Sequence, residues 1–254
     1  MGIYAITGSA SGIGFAVKEA LENKGHSVIG VDRQEATINV DLSSTQSIDE
    51  CFESIKLHAK KGLDGFIPCA GVGGFMGLNN LVIDVNYIAS TMLTEKCLPL
   101  LKQKKGCVVI IGSNSMALPG LHEDFINALL EKEFKLAKAL ACANTFEPYP
   151  SAKAALCRWM KRKSVQWIKQ GVRMNAIAPG ITDTPMIKNQ QRFSKNLNEA
   201  LNQFKDSSPI GFSATPEMIA DVILFLLSDQ SRFICGEVLY ADGGHAALFK
   251  PNQV

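Results

Sequence analysis

The sequence predicts an α/β chain, a mostly parallel, doubly wound sheet with helices on both faces. Three observations lead there. Short β-branched runs alternate with longer helix-period segments along the 254 residues, the pattern that βαβ crossovers produce. The runs are continuously apolar rather than alternating, as strands covered on both faces require. The first run also feeds a glycine-rich turn that opens a helix, a junction typical of nucleotide-binding sheets.

In chain order, "IYAIT" at 3–7 is the first strand and a helical pattern follows at 13–24. "SVIGV" at 27–31 is the second strand, and a third short strand is expected to close at Asp41 and Leu42. Helical periodicity at 46–60 leads to strand 63–68, and again at 80–103 to strand 106–112. Residues 122–143 read as one amphipathic helix, with Phe125, Leu129, Leu130, Phe134, Leu136 and Leu140 on its apolar side. A long helix over 151–169 begins near Tyr149, where Pro150 is tolerable because it falls in the first turn. Strand 172–178 precedes a polar, weakly periodic stretch, about 182–214, that suits a substrate lid. A helix at 216–227 and a strand at 237–241 end the pattern. No repeats or linkers interrupt it, so residues 1–254 read as one domain.

Composition narrows the function. Hydrophobic residues are 46% and charged residues 20%, an ordinary folded mix. Net charge is +2, and the densest basic run, "RWMKRK" at 158–163, reads as a solvated helix face, so nucleic acid is not suggested as a partner. The seven cysteines include no C-x-x-C pair, so no metal site is expected. Thiols in apolar runs, the lack of a signal-type leader and the lack of a long apolar stretch lead us to expect a reduced, cytoplasmic protein outside the membrane.

The chemistry starts at "TGSASGIG". Gly8, Gly12 and Gly14, with Ser11 and Ile13 between them, let backbone approach a pyrophosphate at a helix N-terminus, which favours negative charge. Asp32 ends the second strand, twenty-four residues after Gly8, where an acid binds adenosine ribose hydroxyls and repels a 2′-phosphate. NAD is therefore favoured, although Arg33 beside it is suited to pair with the phosphate of NADP. Asp41 and Leu42 either flank the adenine or simply end a strand before a helix capped at Ser43 or Ser44. Tyr149 and Lys153, four apart, share one face of their helix. A phenol with pKa about 10 is a poor base at neutral pH, and an adjacent ammonium favours its charged form. Ser113 ends an apolar strand and supplies a hydroxyl for a developing oxyanion, with Ser115 close behind it.

Taken together these residues resemble the short-chain dehydrogenase/reductase family, over essentially the whole chain. The matches are "TGSASGIG", Asp32, "CAG" at 69–71, Asn86, Ser113, Tyr149 with Lys153, "PG" at 179–180 with Thr182, and "DGG" at 242–244. Within the family the chain looks most like the bacterial 3α-hydroxysteroid dehydrogenase/carbonyl reductases, through "CAGVGG", "NAIAPGITDTPM" and "DGGHAALFKPNQV". An unusually long interval, thirty-six positions from Ser113 to Tyr149, adds to the likeness. The resemblance implies a Rossmann-type fold with a helical insertion at about 116–148, and a homodimer because that insertion obstructs a tetramer contact. It implies Tyr149, Lys153 and Ser113 as catalytic residues, and Asn86 as holder of a water in a proton relay. Cofactor contacts are implied at Ala70, Gly71, Pro179, Gly180, Ile181, Thr182 and Thr184, with Thr182 on the nicotinamide carboxamide and Lys153 on its ribose. Met186, Ile187, Phe193, Leu197, Leu201 and Phe204 are candidates to face an apolar substrate or to pack in the core.

Three departures stand out. Cys69 replaces a common asparagine, Ala152 stands where serine is frequent with Ser151 beside it, and Gly112 replaces a second serine. The implied reaction interconverts a secondary alcohol and a ketone, most of all on 3α-hydroxy or 3-oxo steroids or bile acids. A carbonyl reductase for small cyclic or aromatic ketones is the alternative, and a non-catalytic dinucleotide-binding regulator is a further one. No G-x-S-x-G or P-loop motif points elsewhere.

Overall fold

The computed structural model describes residues 1–74, 78–143, 145–193, 199, 202–203 and 206–252, the side chains of 190–193 excepted. One all-parallel sheet runs through it in the order β3-β2-β1-β4-β5-β6-β7. Its strands are β1 (Ile3–Thr7), β2 (Ser27–Asp32), β3 (Ile38–Asn39), β4 (Gly65–Pro68), β5 (Cys107–Ile111), β6 (Arg173–Pro179) and β7 (Val238–Ala241). The order reverses between β1 and β4, where the carboxyl ends of strands splay and ligands bind in such sheets.

Helix α1 (Gly12–Asn23) and the late helix α9 (Pro216–Leu227) cover one face, around Ile6, Val17, Ile67, Val109 and Ile223. The other face carries α2 (Thr45–His58), α4 (Ser90–Lys104) and α7 (Pro148–Ile168), over a core that includes Val31, Phe66, Leu101, Val108 and Met160. Capping explains several starts. Ser44 accepts from the Ser47 N–H ahead of α2, and Thr215 does the same for Met218 at α9. Each cap satisfies one of the orphan donors of a helix's first turn.

Four expectations need correction. The third strand stops at Asn39, and Asp41 and Leu42 lie beyond it, on the path to the Ser44 cap. The helix expected at 80–103 is three pieces: a single turn α3 (Asn79–Leu81), a π-helical stretch over Val82–Ala89, and α4. The amphipathic helix expected at 122–143 is two, α5 (Glu123–Leu130) and α6 (Phe134–Cys142). They part at Lys132, whose φ is 62°. There Glu133 N–H bonds Ala128 O at 2.8 Å and Lys132 N–H bonds Leu129 O at 3.1 Å, a Schellman closure that ends a helix. The basic run on α7 is not simply solvated either. Arg158 grips Glu123 through two bonds of 2.6 and 2.8 Å, and Arg162 reaches Glu131 at 3.1 Å. Those pairs, with the fully buried Phe125, Ile126 and Leu129, fasten the insertion to α7.

The stretch expected to form a lid leaves the sheet after β6 through Thr182 and enters α8 (Pro185–Phe193). Its two ends are tied together, with Asp183 N–H on Ala214 O and Ala214 N–H on Ile181 O, both 2.9 Å. No helix among the described residues is long and apolar enough to cross a membrane. All seven cysteines are free thiols.

Candidate active site

A single cleft of about 720 Å³ runs along the carboxyl ends of β1, β2, β4, β5 and β6. At one end lies the glycine turn. Gly8 (φ 71°) passes so near the chain after β4 that a Cβ there would stand 2.9 Å from Ala70 backbone. A Cβ on Gly14 would run into Gly8 O, and one on Gly12 (φ 54°) would press on Thr184 at 3.1 Å. Ser11 precedes α1 without turning its side chain onto the helix, leaving the first N–H groups facing the cleft. That is the donor set and the clearance a diphosphate requires. The Asp32 carboxylate braces the turn, accepting from Ala10 N–H at 2.9 Å and Arg33 N–H at 2.7 Å. Arg33, Asp41 and Leu42 line the same end. The residues present fit a dinucleotide.

The wall between the two ends is made by Ala70, Gly71, Pro179, Gly180, Ile181, Thr182 and Thr184. Ala70 N–H is held by the Thr7 hydroxyl at 3.0 Å, a tie between β1 and β4 at the place where Cys69 has no amide to offer. Burial pushes the Cys69 thiol up to about 12, so it packs as a neutral group. Thr182 is buried, its hydroxyl donating to Gly180 O at 3.0 Å.

At the other end stand Ser113, Tyr149 and Lys153. Glu147 caps α7 by accepting from Tyr149 N–H at 3.2 Å, and Pro148 starts the helix. One turn on, the buried Lys153 donates from Nζ to Ile111 O at 2.8 Å, with Nζ 5.8 Å from the centre of the Tyr149 ring. Ser113 ends the run of β5. Its Oγ accepts from Ser115 Oγ at 2.9 Å, and its hydroxyl bonds Tyr149. Burial is the largest influence on the Tyr149 phenol and raises its pKa, while the Ser113 bond draws it back. The expected net depression by Lys153 is therefore not what the site gives. Burial also lowers the pKa of the Lys153 ammonium, against a raising pull from Cys69 and Cys157.

Asn86, expected to hold a relay water, stands behind the cleft wall. It is fully buried and does not line the cleft. Its side-chain amide is committed to Val72, accepting from N–H at 2.8 Å and donating to O at 2.9 Å. The π-helical stretch places it there, and such stretches recur at functional sites. The departures noted in sequence also find reasons. Ser151 accepts from His122 N–H at 3.0 Å, tying the insertion to α7. A Cβ on Gly112 would stand 2.9 Å from Cys157 Sγ, so a serine has no room there.

Val72, Leu81, Val85, Leu118, Met186 and Ile187 give the site's open side an apolar lining. Leu197, Leu201, Phe204 and the side chain of Phe193 lie outside the described residues. Sequence reasoning missed Leu118 and Glu147 on this side, and named Ser115 only as the near neighbour of Ser113. The only signal for Glu147 was its place two residues before Tyr149.

Residues 3–123 match the family described as short chain dehydrogenase, and residues 135–246 match that described as Enoyl-(Acyl carrier protein) reductase. The 3-alpha-hydroxysteroid dehydrogenase/carbonyl reductase of Comamonas testosteroni is 30% identical, over all of both chains. A coniferyl-alcohol dehydrogenase from a Pseudomonas species is 31% identical over 96% of each. Among solved structures, the 3-alpha-hydroxysteroid dehydrogenase from Pseudomonas sp. B-0831 complexed with NADH superposes with a TM-score of 0.94. It is 35% identical and covers 99% of this chain and 100% of its own.

Proposed function

From the premise that the chain belongs to the short-chain dehydrogenase family and is an NAD(P)-dependent oxidoreductase, we propose that it interconverts a secondary alcohol and a ketone on an apolar ring substrate, foremost a 3α-hydroxy or 3-oxo steroid. One observation carries the reading: the cleft joins a diphosphate turn to a serine–tyrosine–lysine cluster and opens beside it on apolar walls. Those walls suit a fused-ring body, and relatives named for 3α-hydroxysteroids match from end to end.

The cofactor is NAD(H), which supplies or accepts the hydride when bound. The glycine turn would hold its diphosphate and Asp32 its adenosine ribose, with NAD preferred over NADP because the Asp32 carboxylate repels a 2′-phosphate. Tyr149 hands its hydroxyl proton to the carbonyl oxygen during reduction and takes it back from the alcohol during oxidation. Ser113 donates to the same oxygen as negative charge develops there, held in place by Ser115. Lys153 binds the nicotinamide ribose, and only together with the cationic nicotinamide of bound NAD would its charge favour the phenolate form of Tyr149, against the burial that raises the phenol's pKa. Asn86 would hold a water in the proton relay, while its side chain fixes the chain at Val72, next to Gly71, where a Cβ would stand 3.9 Å from Lys153 Nζ. The insertion covers α7, and we propose a homodimer, to be read as twice the 27.5 kDa chain in sedimentation equilibrium.

The test mixes the protein with NAD and a 3α-hydroxysteroid and follows absorbance of the reduced nicotinamide, beside Tyr149→Phe. Turnover that the variant abolishes supports the reading. Turnover of small ring ketones alone replaces the steroid assignment with a carbonyl reductase, and no turnover across a carbonyl panel overturns the catalytic reading.

A further inference from the structure

The cleft is lined by three acidic side chains among the described residues, and they are not together. Asp32 and Asp41 stand at the adenosine end, while Glu147 stands alone at the substrate end. Around it the lining is Val72, Leu81, Val85, Leu118, Met186 and Ile187, none of which carries charge. Among the described residues lining the cleft, the cation at this end is Lys153, which is buried and bonded to Ile111 O. Glu147 is solvent-exposed and lines the cleft.

Its carboxylate is held in place. Oε1 accepts from Tyr149 N–H at 3.2 Å. Across from it Gly74 leaves the needed space: a Cβ there would run into Glu147 Oε1 and stand 3.0 Å from Tyr149 Cβ. Glu147, Gly74 and the base of the Tyr149 side chain therefore meet at one point of the wall. Capping alone would not require a carboxylate facing the cleft, since a neutral oxygen caps as well.

We propose that Glu147 is a specificity residue, a charge filter that excludes ketones bearing an anionic group near the reacting carbonyl and so selects neutral ring ketones. Like charges brought together in a partly dry cleft disfavour the wrong substrate, the repulsive half of specificity. The inference rests on the alcohol/ketone reading and deepens it. It separates this site from ones that reduce keto acids, and predicts that neutral steroids enter where small keto carboxylates do not.

The test compares 3-acetylbenzoate with its methyl ester, using the NADH-saturated protein and the variants Glu147→Gln and Glu147→Ala. The readout is the ester-to-acid ratio of kcat/KM, so general effects on rate cancel. Glutamine keeps an oxygen for the Tyr149 N–H, and alanine does not. The proposal expects both variants to lower the ratio by about tenfold relative to the unmodified protein, equivalent to about 1.4 kcal/mol. An unchanged ratio in Glu147→Gln overturns it, as does a shift confined to Glu147→Ala, which would mark a purely capping role. Where neither ketone turns over, the catalytic reading fails separately. The ratio of equilibrium dissociation constants, from titration calorimetry on the same pair, then decides the filter. Equal constants, or no binding of either compound, overturn it.

Discussion

At the scale of single residues, Tyr149 is governed by two opposed influences. Burial raises its pKa and the Ser113 hydroxyl lowers it. Alcohol oxidation needs the phenolate, so its rate climbs with pH towards that raised pKa. Ser113→Ala removes the lowering influence, and the alkaline limb of kcat/KM for oxidation moves to higher pH. A pH–rate profile in the oxidative direction checks the sign, and a limb moving to lower pH contradicts it. Tyr149→Phe removes the exchangeable proton itself and is expected to cut kcat by about 10²–10⁴-fold. NADH binding, followed by its fluorescence, should survive, because no diphosphate contact depends on the phenol. Asp32 governs a separate choice. Asp32→Asn keeps an acceptor for Ala10 N–H but removes the charge that repels a 2′-phosphate. The NAD-to-NADP ratio of kcat/KM should fall by about tenfold, since like-charge contacts of this kind cost at least about 1.4 kcal/mol. These residues were all legible in sequence because each sits at a strand end or on a helix face with a fixed spacing. Glu147 was not, since its role depends on Gly74 opposite it, seventy-three positions away.

At the scale of elements, hydrophobic period located α1, α2, α7, α9 and the stretches that hold α3 to α6, but not α8 and not where helices break. Lys132 ends α5 in the left-handed region, which favours glycine, yet a lysine carries no such signal in sequence. Lys132→Gly relieves that backbone, worth about 1–2 kcal/mol, against the extra entropy glycine loses on folding, about 0.5–1 kcal/mol. The exposed Lys132–Glu95 pair, at 3.5 Å, is lost with little effect. A net gain of about 0.5–1 kcal/mol is expected, seen as a rise of a few degrees in Tm by calorimetry. Phe125 is the opposite case. It is fully buried under α7 and meets Phe146 edge-on, with ring centres 5.3 Å apart. Phe125→Ala should cost about 3–5 kcal/mol in denaturant unfolding. The π-helical stretch around Asn86 escaped notice for a related reason: its apolar residues keep a helical pattern while the backbone widens to reach Val72.

For the whole molecule, the doubly wound sheet follows from alternation and continuous apolar strands, and it needed no tertiary information. The strand order did. Placing β1 next to β4 creates the crevice, and only that pairing brings Gly8 against Ala70 and the glycine turn into line with Ser113 and Tyr149. The cleft is thus bounded by elements of both cores, α1 on one face and α7 on the other. Anything that fills it braces both. NADH at a hundred times its Kd should therefore stabilise the folded chain by about 2.7 kcal/mol, a rise of about 5–10 °C in Tm for a protein of this size. Gly14→Ala is the informative control, because its Cβ would run into Gly8 O exactly where the turn must stay narrow. That variant should lose the NADH-dependent shift, whatever its own baseline Tm. Tyr149→Phe should keep it, because the phenol lies at the far end of the same cleft. A shift retained in Gly14→Ala would show that the diphosphate is held elsewhere, and a shift lost in Tyr149→Phe would show that the two ends do not act independently.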